Sequence, residues 1–460
     1  MKGALGAGHP LTAQAGADVL RSGGSAVDAC VAAAAVSWVC ESSLTGPGGG
    51  GFLLVHLSGE ARTHLLDFFV ALPRESADPS ELVELPVDFD DDTRQLFHTG
   101  GAAVAVPGTV LGLWEAHERF GSVPWRELLA PAARLAREGV VLNEEQAYLH
   151  RILDPLLRST PEGDALFGPG RALGAGERFV MPELADTIEQ LAAEGADCLY
   201  HGELGERIAA YVPITTEDLA SYRVIEREPL EVHYRGGELR TNPPPSSGGR
   251  LVAVGLEALG DAEPAPLAVA RAMEAMARQR AADAVGGTTH ISVVDAHGDA
   301  ASLSCSLGSG SGLVVPGTGI HLNNMLGETH LASEVQPGAR LMSLMTPSVL
   351  VREGRPRFVV GSAGSSRLHG AILQVVANVV AGGLEVAEAV AAPRIHVEAG
   401  LVHCEDPAAA DELEGAGYTV VRWRERNLFF GGVSAVEIRE DGSLSAAGDP
   451  RRGGAGVVVA

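Results

Sequence analysis

Apolar positions from Thr12 to Arg21 recur with helical spacing and stop at Gly23-Gly24, a helix-ending signal. Ser25 can cap a second helix, SAVDACVAAAAVSWVC, whose small residues permit close packing. The glycine run Gly46–Gly51 (interrupted by Pro47) precedes an apolar strand from Phe52 to His56, and Arg62–Val70 predicts another. Asp78–Asp92 is acidic and irregular and predicts an exposed loop. Val104–Gly108 leads into a helix over Val110–Glu118, and Pro124–Arg137 has a strongly amphipathic helical pattern. Glu144–Arg223 reads as mostly helical with loop breaks. Asn242–Gly249, NPPPSSGG, predicts a rigid turn, or in its plainest reading a linker. A helix is predicted over about Leu267–Val285, followed by Gly286-Gly287.

After that point the pattern changes. His290–Val294 and Ala300–Ser306 alternate around an Asp295…Gly298-Asp299 turn and predict a hairpin. Phe358–Val360 starts a further strand and Leu368–Val380 a further helix. Strands mixed with helices, and hairpins among the strands, favour a layered α/β or α+β fold over a bundle. A chain of 460 residues can bury a large core, and one domain is the working number.

The net charge of −25 argues against nucleic acid or an anionic membrane as partner. Val27–Val39 is too short for a membrane span and reads as a buried helix. The N-terminus, MKGALGAGHP, lacks the apolar core of a signal peptide. The five cysteines form no CxxC pair and point to neither a disulfide framework nor a zinc site. A reducing cytoplasm is the natural compartment for such a chain.

Three segments could carry chemistry. The glycine run lacks the Lys-Ser/Thr of a P-loop and leads into a strand, so a tight turn or close backbone packing is the better reading. Threonine at the head of a strand, as in Gly286-Gly287-Thr288-Thr289-His290, is ordinary by itself. Its company changes the reading: flexible glycines before it, hydroxyls at Ser302, Ser304 and Ser306 after it, then the turn Gly308–Gly312. A threonine hydroxyl needs an adjacent base. If the peptide bond before Thr288 breaks, the freed α-amine, with a reference pKa of about 7.7–8.0, becomes that base. The third segment is Gly361-Ser362-Ala363-Gly364-Ser365-Ser366-Arg367, between a strand and a helix. Its N–H groups could form an oxyanion site, or its serines could simply cap the helix.

In this order the segments resemble the γ-glutamyltranspeptidase family along nearly the whole chain. The matching stretches are GGSAVDA (Gly23–Ala29), GPGGGGF, VPGTVLGLWEAH, NPPPSSGG, TTHISVVDAHGDAASLS, GTGIHLNN (Gly317–Asn324), MTPSVLV, GSAGSSR and PRIH. The resemblance implies a four-layer αββα fold of the N-terminal-nucleophile type, made as one precursor. Cleavage between Gly287 and Thr288 would give residues 1–287 and 288–460, two pieces of one joint domain. It implies Thr288 as nucleophile and, through its amine, base. It places Ser306 near that amine, and the N–H groups of Gly364 and Ser365 at the oxyanion. Asn323 and Ser343 fall at positions lining the pocket. No metal or organic cofactor is implied, and His290 reads as structural. The implied partners are a small-molecule substrate and the chain's own two fragments, and a homo-oligomer is compatible with the sequence.

The departures concern the glutamyl binders. The family's arginine after the Leu-Asp of the strand near Asp67 is replaced here by Phe68-Phe69, with no arginine before Arg74. An expected asparagine is Gly308, one of two pocket serines is Leu344, and the acid that would hold the substrate amine is kept only as Glu328. The stretch before Thr288 is also shorter than family members usually carry. Losing the arginine of a buried carboxylate pair costs about 2–5 kcal/mol. An ordinary γ-glutamyl donor should therefore bind badly, and with Phe69 in place an acyl group without an amino-acid head suits the site better. Phe68 and Phe69 could equally be core residues. The leading expectation is an amidohydrolase or acylase. A second is a C–C bond hydrolase removing an oxalyl-type group, as homologues do during alkylproline biosynthesis in actinobacterial antibiotic pathways. A third is a non-catalytic binding protein on the same fold.

Overall fold

The computed structural model describes residues 2–460 apart from 76–77, 79–80, 89–93, 280–286, 328–335 and 365–366. In chain order the strands of its two main sheets are β1 (Gly3–Ala7), β2 (Gly50–Leu57), β3 (Arg62–Phe68), β4 (Ile225–Arg227), β5 (Leu230–Tyr234), β6 (Gly237–Thr241), β7 (Gly287–Asp295), β8 (Ala300–Gly308), β9 (Ser348–Arg352), β10 (Arg355–Ala363), β11 (Gly432–Ile438), β12 (Leu444–Gly448) and β13 (Ala455–Val459). The first sheet has the order β13-β1-β7-β8-β2-β3-β4 and the second β12-β11-β10-β9-β6-β5.

Alternation along the strands builds the layers. In β2, Leu53 and Val55 enter the core shared with the helices α1 (Pro10–Arg21) and α2 (Ala26–Cys40), while Phe52 and Leu54 enter the core between the sheets. Val349, Val359 and Val436 meet them from the second sheet. On that sheet's outer face Leu350, Phe358 and Val360 pack with Leu251, Met273 and Ile372 of three further helices. Helices, sheet, sheet, helices is the expected αββα order.

All residues of α2 are buried, so its small side chains serve close packing from every direction. Gly16 of α1 faces it: a Cβ there would lie 2.1 Å from a Leu5 methyl and 3.0 Å from the Ala29 carbonyl oxygen. Ser25 caps α2 in a reciprocal box with Asp28. Asp28 also accepts from the Ser122 hydroxyl at 2.8 Å and the Ser122 and Val123 N–H groups at 3.0 and 3.3 Å. From the far side Asp295, in the predicted hairpin turn, takes the Ala26 N–H at 3.0 Å.

Two expectations need correction. The acidic stretch expected as an exposed loop contains the strand Val83–Asp88, paired with Arg94–Thr99. Val87 and Phe97 are buried, because an alternating Val83-Leu85-Val87 face lies beneath the acidic composition. The helix expected over Leu267–Val285 is Pro266–Gln279, and the remainder up to Gly286 lies outside the described residues.

Asp28→Ala strands several buried donors, whereas Ser25→Ala removes one cap. The expected losses are about 2–4 and about 1 kcal/mol. Urea midpoints of the two variants should rank in that order, and equal midpoints would contradict the role given to Asp28.

Candidate active site

The site is built on β7 and β8, whose facing residues are Thr289 with Cys305 and His290 with Ser304. The register slips between Gly287 and Thr289, so Thr288 alone opposes Ser306 and Leu307 before Gly287 meets Gly308. Such a bulge re-aims a side chain at the end of a ladder. The Ser306 hydroxyl donates to the carbonyl oxygen of Gly287 and accepts the Gly308 N–H at 2.8 Å. The carbonyl of the Gly287–Thr288 bond is thereby polarised. Gly287 has no room for a side chain: a Cβ would lie 2.6 Å from a Leu44 methyl.

Thr288 itself is buried. Two residues along, the His290 ring lies between the sheets, with Nδ1 2.8 Å from the Ser304 hydroxyl and Nε2 3.0 Å from that of Ser292. Burial drives its pKa down to about 3, so it stays neutral and is a poor base. The ring covers Gly361, where a Cβ would be 2.2 Å from it, and Ser302 reaches the Val360 carbonyl at 3.3 Å.

Gly364 has φ +127°, and a Cβ there would lie 2.5 Å from the Gly431 Cα, so only glycine fits this turn. The following helix, Leu368–Val380, begins after Arg367 with no side-chain cap. Ser365 and Glu328 lie outside the described residues. Gly308 has φ +71°, and a Cβ would be 2.1 Å from the Asn324 side-chain oxygen.

Asn323, expected to line the pocket, is used up by the backbone. Its amide donates to the Gly48 and Ala105 carbonyls, both at 2.8 Å, and its oxygen accepts from the Ala105 and Met325 N–H groups at 3.0 and 3.2 Å. It clamps the glycine run to two loops and has no bond left for a ligand. Ser343 is buried: its hydroxyl takes the Met345 N–H at 3.0 Å and its carbonyl takes the Ser246 hydroxyl at 2.6 Å. That second bond makes NPPPSSGG a structural turn and removes the linker alternative. Leu344 is half-buried beside it. Phe69 is 1% exposed and stacks on Phe52 with centroids 5.6 Å apart, the core placement.

Sequence reasoning missed two groups. Arg340 approaches Asp67 at 3.3 Å and lies over the Tyr222 ring at 4.3 Å, while Arg227 pairs with the same Asp67 at 2.7 Å. Arginines therefore reach the Asp67 end of the strand, where none stands in sequence, yet both face a carboxylate already. The other is Glu41, a buried carboxyl accepting the Thr289 hydroxyl at 2.5 Å. Its only signal was an acid at the end of the apolar run Ala29–Cys40, just before the glycines. Among the described residues no group of three His, Cys, Asp or Glu side chains could hold a metal ion, and no helix is long and apolar enough to cross a membrane.

Two antiparallel sheets between helical layers, with a hydroxyl residue heading a central strand, form the architecture of N-terminal-nucleophile hydrolases. The gamma-glutamyltranspeptidase family model matches residues 12–277 and 262–459, and the chain belongs to that family. It is 32% identical to a glutathione hydrolase proenzyme of Pseudomonas aeruginosa, over 99% of this chain and 94% of that one. It is 31% identical to the acylase ACY 1 proenzyme of a Pseudomonas species, over 100% and 94%. The crystal structure of a cephalosporin acylase from Bacillus halodurans matches with a TM-score of 0.84 at 26% identity, covering 99% of this chain and 95% of that one. The chain is thus a hydrolase or transferase of this fold.

Burial holds His9, His150 and His321 at about 4 and His290 at about 3, against 6.5 when exposed. Their neutral forms stabilise the fold fully above pH 6.5. As pH falls below 6.5 the unfolded chain takes up protons that the folded chain refuses, until the folded values are reached. Each histidine then removes about 1.4 kcal/mol per pH unit. Urea midpoints should drop steadily between pH 6.5 and 4; a flat profile would contradict the neutral burial of these rings.

Proposed function

We propose that the chain is a precursor that cuts itself between Gly287 and Thr288 and then uses Thr288 to hydrolyse a small acyl group other than γ-glutamyl. The observation that carries this reading is the Ser306 hydroxyl on the Gly287 carbonyl, at the bulge that sets Thr288 beside it. Attack by the Thr288 hydroxyl breaks the C–N bond, forms an ester, and passes the hydroxyl proton to the departing nitrogen. Water then hydrolyses the ester, leaving a carboxylate on Gly287 and a free amine on Thr288.

In the cut enzyme that amine takes the proton of the Thr288 hydroxyl as it attacks the substrate carbonyl. The oxyanion is received by the N–H groups of Gly364 and Ser365, and the leaving group takes the proton. Water releases the acyl group by the same route. A neutral, hydrogen-bonded His290 supports the amine as base, because the imidazole is unavailable.

The acyl preference rests on side chains. Phe69 stands where the family's glutamyl-binding arginine would be and is packed on Phe52. Gly308 supplies no amide, and Leu344 no hydroxyl. Arg340 and Arg227, which approach the Asp67 end of that strand, are engaged by Asp67. The relatives' names, glutathione hydrolase and acylase, leave the acyl group open.

Intact mass tests the first half. The wild type should run as pieces of 287 and 173 residues. Thr288→Ala should stay whole, and Ser306→Ala should cut more slowly by about tenfold or more. A wild-type chain that stays whole overturns the proposal. For the second half, kcat/KM on a γ-glutamyl anilide should fall below that on simple acyl anilides by roughly tens to thousands of times. A γ-glutamyl preference would overturn the acyl assignment alone.

A further inference from the structure

Glu41 ends α2, immediately before the loop that leads into the glycine run, and is 2% exposed. Its two carboxyl oxygens are held by hydroxyls from different elements, Thr12 of α1 at 3.0 Å and Thr289 of β7 at 2.5 Å. Gly8 lies so close that a Cβ would be 2.5 Å from the carboxyl. The same residue reaches the Gly287–Thr288 bond by a second route. Its carbonyl accepts the N–H groups of Leu44 and Thr45 at 2.8 and 3.1 Å. Leu44 in turn lies against Gly287, and its carbonyl takes the Leu307 N–H at 2.9 Å, inside the bulge.

A buried charge from the other end of the chain adds to the electrostatics of this carboxyl. Arg452 is buried, with its stem against Gly432, where a Cβ would be 2.2 Å from the arginine Cδ. Its neighbours have close carboxylates: Arg394 pairs with Asp449 at 2.6 Å and Arg367 with Glu398 at 3.4 Å. Among the described residues nothing hydrogen-bonds Nε or Nη1 of Arg452. Burial lowers its pKa to about 10, while Asp449 and Glu41 oppose that shift and Arg367 and Arg394 add to it. Burial raises Glu41, and the Thr289 and Thr12 hydroxyls and the Arg452 charge pull it back towards the ionised form. The adjacent Cys40 thiol is pushed up by burial and by Glu41, and stays neutral.

We propose that Glu41 is a positioning residue for Thr288: its carboxyl group holds Thr289, and so fixes the bulge that sets the Thr288 hydroxyl against the Gly287 carbonyl. The inference rests on the self-cleavage reading above. Self-cleavage is also its cleanest assay, because the uncut chain has no Thr288 amine to titrate and needs no substrate.

The test follows the splitting of freshly translated full-length chain by gel at neutral pH. Glu41→Gln and Thr289→Val should each slow it by about tenfold or more, and the double variant should be no slower than the worse single one. Thr289→Ser, which keeps the hydroxyl, should restore the rate to within about threefold of wild type. If Glu41→Gln fails to fold, the Thr289→Val and Thr289→Ser pair decides. Glu41→Gln splitting at the wild-type rate, or Thr289→Ser no better than Thr289→Val, overturns the inference and leaves self-cleavage standing. A wild-type chain that never splits overturns both.

Discussion

The strand β7 is gripped from both faces, and the placement of Thr288 depends on that grip. Towards the second sheet, His290 and Ser292 are tied to Ser304 and to the Ser434 carbonyl. Towards the helices, Ile291 and Val293 are fully buried and Thr289 is bound by Glu41. A slip of one residue would push the imidazole into the apolar layer and isoleucine into the polar one, so the register is strongly fixed. Close approach of the two sheets at this level needs Gly361, over which the His290 ring lies. The one place where the ladder gives way is between Gly287 and Thr289, the bond that the proposed chemistry breaks.

The same topology explains how a cut chain would hold together. In the first sheet β7, from Thr288 onward, and β8 lie between β1 and β2, which precede the cleavage point. In the second, β9 pairs with β6 across the same division. Cleavage before Thr288 removes one peptide bond and none of these ladders. What it adds is an amine at the end of a rigid strand, where its orientation is set by pairing already made.

The altered half of the site lies on β3 and the loops around it. Asp67 collects two arginines, and Phe69 turns into the core. Asn323 spends its whole amide on tying Gly48 of the glycine run to Ala105 and Met325, which helps that run, nearly bare of side chains, to keep its shape.

Local pattern determined much of this protein. The capped helix after Ser25, the hairpin around Asp295, the helix Leu368–Val380 and the threonine heading a strand after glycines follow from periodicity, caps and turn residues, which act within a few neighbours. Composition misled at Val83–Asp88, where acids concealed an alternating strand. Tertiary structure alone decided that the Ser306 hydroxyl meets the Gly287 carbonyl, that Glu41 binds Thr289, and that Arg340 reaches Asp67. It also decided that Asn323 is a clamp. The reason is physical: each of these depends on a distance of a few ångströms between segments far apart in the chain, which no local preference specifies and which exists only once both sheets are packed.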